Sequence, residues 1–182
     1  MLKLFYEQQD FKTDPNKARE RADYYRGILT RQLDHHTEII AHLDMADHLI
    51  VAGDSAAAVE ELEKFRESLA NRGFGLDRDQ DLRLRRSLGI AYLRMGEQQN
   101  CLENHNAQSC VYPLRGGGVH NNRKGAEGAI REYTALLERD PNDLASKWLL
   151  NIAYMAVGRH PGGVPAKWLI PDSIIPDEYD IK

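Results

Sequence analysis

Leu49 stands four residues before Gly53, Tyr92 four before Gly96, and Tyr154 four before Gly158. Each glycine closes an apolar stripe with helical spacing. In 81–105, Leu84, Leu88, Tyr92 and Met95 recur at spacings of four, four and three, and Leu144, Trp148, Ile152 and Met155 repeat that rhythm. Such spacing lines one face of a helix, and glycine accepts the left-handed backbone of a helix C-cap. The modules at 42–69, 81–105 and 125–158 therefore predict an all-α chain organised as a helical array. At 182 residues the chain can bury its own core as one domain with a tail.

Outside the array the two ends read differently. Residues 1–34 predict an N-terminal packing helix, with Asp14 as cap, Pro15 at the first helical position and an apolar stripe through Asp23, Tyr24, Tyr25 and Ile28. Helical repeats are expected over 35–158, interrupted by a Pro- and Gly-rich loop at 110–125. Residues 159–182 hold four of the seven prolines, which predicts an extended tail or linker held at most by Trp168, Leu169 and Ile170.

The modules resemble the tetratricopeptide repeat, a helix–turn–helix unit. Leu88, Gly89, Tyr92 and Gly96 match its first helix, as do Leu150, Tyr154 and Gly158, with Asn151 in place of the usual glycine. Ala58, Ala129, Tyr133 and Pro141 match second-helix and terminal positions. The resemblance implies a short, irregular superhelix with a concave peptide-binding groove. The register departs from the 34-residue period. Gly53 to Gly96 is 43 residues, with the excess at 73–81, and Cys101 to Ala129 is only 28. The Gly116–Gly118 run cannot sustain a helix.

Residues 81–171 are also similar to the repeat-containing region of bacterial exported proteins, of the cartilage-acidic-protein-like kind, that continue into FG-GAP propeller repeats and an ASPIC/UnbV domain. The matching residues are Cys101, His105, Asn106, Cys110, Gly117, Gly118, His120 and the run Trp148–Leu149–Leu150–Asn151. This likeness implies an extracytoplasmic location (periplasmic, cell-surface or secreted) and a C-terminal propeller as a partner outside this chain. The opening MLKLFYEQQDF lacks the basic and apolar regions of an intact signal peptide, so composition leaves a cytoplasmic location open.

Chemistry concentrates at 101–120. Cys101 and Cys110 are the only cysteines, and an exported protein favours a disulfide between them, stapling the broken repeat by about 2–3 kcal/mol. Cys101, His105, Cys110 and His120 also make a ligand set for zinc or a soft copper ion, although their spacing matches no established zinc module. Two reduced, buried thiols are the third reading. The glycine run invites an anion cradle, but the P-loop pattern is missing and a tight loop is the expectation. His35, His36, His42 and His48 lack i,i+3 and i,i+4 spacing, so solvated surface histidines are expected.

No nucleophile elbow, zinc-protease or dinucleotide motif occurs, and the chain is not expected to be an enzyme. A net charge of −4 without a basic block argues against nucleic acid, and no apolar run reaches the ~18–20 residues of a membrane span. The expected function is non-catalytic protein–protein scaffolding without a cofactor, with Arg83, Arg86, Arg94 and Lys147 drawing an acidic partner segment. The alternative is a metal- or cofactor-binding protein centred on the Cys/His loop.

Overall fold

The structure is a computed structural model that describes Asp14, residues 16–109 and residues 111–171. Among the described residues it is helical and contains no strand. In order the helices are α1 (Ala18–Ile28), α2 (His35–Val51), α3 (Ser55–Asn71), α4 (Arg78–Asn104), α5 (Lys124–Arg139) and α6 (Leu144–Ala156). Short 3-10 turns occur at Gly116–Gly118 and Ala166–Trp168. The chain divides into two compact units, one up to Ser87 and one from Leu88, and the division falls inside α4.

In the first unit, α2 packs against both α1 and α3. Asp34 starts α2 by accepting hydrogen bonds from the Thr37 amide and hydroxyl, which satisfies an otherwise orphaned N–H. These bonds hold the Asp34 carboxyl below its ordinary pKa. The turn after α2 needs Gly53, whose φ is +82°. Ile39, Leu43, Leu49, Leu62, Phe65 and Leu84 form the core of the unit. The packing surface of α1 differs from the expected stripe. Ala18 and Ala22 are buried while Asp23 and Tyr24 are exposed, because small side chains allow α1 to lie close to its neighbour. Pro15 lies outside the described residues.

Of the four histidines of α2, His36 is exposed as expected, while His35, His42 and His48 depart from the solvated reading. His42 stacks on Phe65 at 4.1 Å and bonds to Glu61, His35 packs on Phe74 at 4.4 Å, and His48 stacks on Tyr25 at 5.6 Å. Burial, followed by the charge of Arg21, lowers the pKa of His48. Their apolar ring faces make these residues part of the packing between elements.

The largest correction concerns Gly96. It does not end a helix, because α4 runs unbroken for 27 residues, from a box in which Asp77 and Gln80 exchange backbone-to-side-chain bonds, through Gly96 to Asn104. Residues 81–104 are therefore one rod rather than a helix and a turn. The glycine serves contact instead. A Cβ on Gly125 of α5 would lie 2.6 Å from Gly96 Cα and 2.5 Å from the Tyr92 carbonyl oxygen. One and two turns away the tyrosines interlock with glycines. Tyr133 occupies the notch at Gly89, and Tyr92 the notch at Gly128, where added Cβ atoms would come within 2.7 and 2.5 Å of the rings. Arg131 lies over the outer face of Tyr92. Helix packing of this closeness offsets the ~1 kcal/mol that a mid-helix glycine costs.

Beyond Gly158, at φ +68°, residues 159–171 are not a free linker. Val164 and Trp168 are buried. Asn151, itself buried in α6, donates from Nδ2 to the Trp168 carbonyl at 2.8 Å and accepts from the Ile170 amide at 3.0 Å. One carboxamide thus satisfies an extended backbone that has no strand partner. Residues 172–182 lie outside the described residues.

Candidate functional site

The loop between α4 and α5 is built on asparagine and glutamine side chains. Asn106 Nδ2 donates to the carbonyls of Asn104 and Gly117, and Gln108 Oε1 accepts from the Gly117 amide at 2.6 Å. Gly118 must be glycine, since a Cβ there would stand 2.5 Å from the Gln108 carbonyl oxygen. Gly116 adopts φ +51°. The Gly117 and Gly118 amides are spent on Gln108 and Arg115, so this run is the tight loop expected and not a set of donors turned to an anion.

Asn100 ties the far end of the loop to α4, bonding to the Asn122 backbone with both its amide nitrogen and its oxygen. Between these ties the loop and the last turns of α4 enclose a cavity of about 210 Å³. Glu97, Cys101, Tyr112, Leu114, Val119 and His120 are on its walls. Glu97 accepts from the Tyr112 hydroxyl at 3.0 Å. His120 is 7% exposed, and its backbone amide donates to the Ala156 carbonyl at 2.8 Å. Its buried Nδ1 has no hydrogen-bond partner among the described residues. Burial lowers the His120 pKa, so the ring is neutral at pH 7.

Of the expected Cys/His set, the structure brings Cys101 and His120 to one cavity. His105 is exposed just past the end of α4 and takes no part in its wall. The expected disulfide is not seen: Cys101, in the last turn of α4, is a free and exposed cysteine, and Cys110 lies outside the described residues. Among the described residues, no group of three His, Cys, Asp or Glu side chains is arranged to hold a metal ion.

The four cations expected in a groove have separate fates. Arg83 is committed inside the first unit, to Asp44 at 2.6 Å and Asp47 at 2.7 Å, while Ser87 donates to the other Asp47 oxygen. Arg86 and Arg94 are exposed on α4, and Lys147 is half-buried on α6. Beside Lys147, Leu144 and Trp148 are 76% and 42% exposed. They are one helical turn apart and hence on one face. The helical stripe 144–148–152–155 had placed them with the core. The sign that separates them is position: they lie in the first turns of α6, while Ile152 and Met155 in its later turns are buried. No helix among the described residues is long and apolar enough to cross a membrane. Comparison with known families, characterised proteins and solved structures yields no match.

Proposed function

We propose that the chain is a non-catalytic protein-interaction module of the tetratricopeptide-like kind, and that α6 presents its docking ridge. The observation that carries this reading is the exposed pair Leu144 and Trp148 with Lys147 between them. Large exposed apolar side chains beside a cation suit an apolar segment that carries Asp or Glu. Trp is a side chain enriched among the residues that dominate binding energies. The Asn151 clamp adds support, because the same helix already grips an extended backbone in cis. The similarity to exported propeller proteins supports a location outside the cytoplasm and a propeller neighbour.

The test is selection from a displayed library of random peptides against the full chain. Enrichment of sequences that pair acidic with large apolar residues is expected. Trp148→Ala should weaken the selected peptides by about 30-fold, the scale of an interface hot spot. Lys147→Glu should weaken them by about tenfold at low salt and less at high salt. Absence of any enriched sequence, or equal binding by both variants, refutes the assignment.

A further inference from the structure

One face of α6 is already covered over part of its length by this chain's own backbone. Lys147, Trp148 and Asn151 follow Leu144 by three, four and seven residues, the spacings that return a helix to the same side. At Asn151 that face is buried, and the side chain holds the extended backbone at Trp168 and Ile170. One and two turns nearer the helix start, Trp148 and Leu144 are exposed. The held backbone runs to Pro171, and residues 172–182, DSIIPDEYDIK, follow it in the sequence. They set Ile174, Ile175, Tyr179 and Ile181 among four carboxylates and one lysine. Apolar side chains of this kind suit Leu144 and Trp148, and the carboxylates suit Lys147 and the exposed Lys167, whose Nζ lies over the Trp168 ring. Reach is ample. Asn151 and Leu144 are about 10 Å apart along the helix axis, whereas eleven extended residues span up to ~36 Å.

We propose that residues 172–182 are the resident occupant of the α6 ridge: the segment lies over Leu144 and Trp148 with its carboxylates toward Lys147, and an external partner binds by displacing it. This occupancy rests on the docking ridge proposed above and gives it a ligand in cis. A short tether holds a segment at an effective concentration on the millimolar scale, so one with a solution Kd of about 0.1 mM fills its site about nine-tenths of the time.

The test follows the indole N–H signal of Trp148 in the full chain, assigned by its loss in Trp148→Phe, and its attenuation by a soluble paramagnetic agent. The comparison is the chain carrying Ile174→Ser and Ile175→Ser, which alters no residue of the described fold. Trp148 should be shielded in the parent, at every protein concentration, and open in the tail variant. A synthetic peptide of residues 172–182 should shift the Trp148 signal of the tail variant saturably. It should bind the parent about tenfold more weakly, because a site about nine-tenths filled in cis offers that fraction less to a competitor. Lys147→Glu should unshield Trp148, and adding Asp177→Lys with Glu178→Lys to the same chain should restore the shielding. Equal exposure of Trp148 in parent and tail variant, equal affinity of the two for the peptide, or no restoration by the charge exchange overturns the cis contact. Shielding that fades on dilution assigns the site to a second copy and overturns it as well. The ridge itself fails differently: displayed peptides that depend on Trp148 are still selected if only the cis contact is wrong, whereas a shielded Trp148 with no selectable peptide upholds the cis contact and removes the external partner.

Discussion

Gly125→Ala tests the account of how α4 and α5 meet. The added Cβ would face only backbone: Tyr92 O at 2.5 Å, Gly96 Cα at 2.6 Å and Gly96 N at 2.7 Å. Real Cβ contacts do not approach so closely, and no side chain can rotate away, so the helices themselves must separate by about 1 Å. Overpacking of this kind costs ~1–3 kcal/mol, and backbone-only clashes belong at the upper end. Separation also loosens the neighbouring Tyr92–Gly128 and Tyr133–Gly89 contacts. Against this stands the gain in helix propensity, at most ~1 kcal/mol in a helix interior and smaller in the first turn, where Gly125 sits. The net expectation is a loss of about 2 kcal/mol, or roughly 4–8 °C in Tm for a chain of this size. Urea unfolding followed by circular dichroism measures it. Gly27→Ala is the control, because a Cβ there meets nothing within 4 Å; in its exposed helical position it should be neutral or stabilise by up to ~1 kcal/mol. A Gly125→Ala variant as stable as the parent would refute the reasoning.

Asn151→Ala should leave the Trp168 carbonyl and Ile170 amide without their partner, each orphaned group costing ~1–3 kcal/mol; hydrogen exchange should show the Ile170 amide losing protection while α2 is unaffected. Trp168→Ala should cost ~3–5 kcal/mol, the range for truncating a buried aromatic, read from thermal unfolding. Burial depresses the His120 pKa in the folded state, so its neutral form favours folding. The unfolded chain then binds more protons below the ordinary histidine pKa, and stability present above pH ~6.5 is lost as pH falls toward the folded value. His120→Phe should flatten that part of the pH–stability curve, and an unchanged slope between pH 7 and 5 would contradict the stated burial effect. The Asp34 carboxyl is depressed by Thr37, so its contribution is full above the ordinary Asp pKa and disappears as pH falls through the lower folded value. Asp34→Asn should retain the cap and remove that acid-range dependence.

Helical content was legible because it is a local property. Apolar spacing of three and four, with glycines at positions 53 and 158, agrees with what the backbone does there; the caps at Asp34 and Asp77 were not read from the sequence. Gly96 was misread for a physical reason. A glycine ending an apolar stripe and a glycine pressed against another helix look alike in sequence, and only Gly125, 29 residues away, distinguishes them. In the tail Trp168 and Ile170 do hold the chain, as expected, but proline content reports the local chain and not the buried asparagine on α6 that grips them. At the loop, residue types pointed to Cys101 and His120, which do share a cavity. They also pointed to His105, which does not, because i,i+4 spacing from Cys101 has meaning only while the helix continues, and α4 stops at Asn104. The exposed Leu144 and Trp148 were hidden within a regular stripe, whose periodicity is blind to how far a neighbouring element extends.

The grip of Asn151 on Trp168 and Ile170 carries the packed chain well past the last helix. Shortening the chain at Gly158, where the helical pattern ends, would strip a side-chain amide of both its bonds and uncover the surface under Val164 and Trp168. A version meant to be made alone, or spliced to another domain, should keep its residues through at least Pro171.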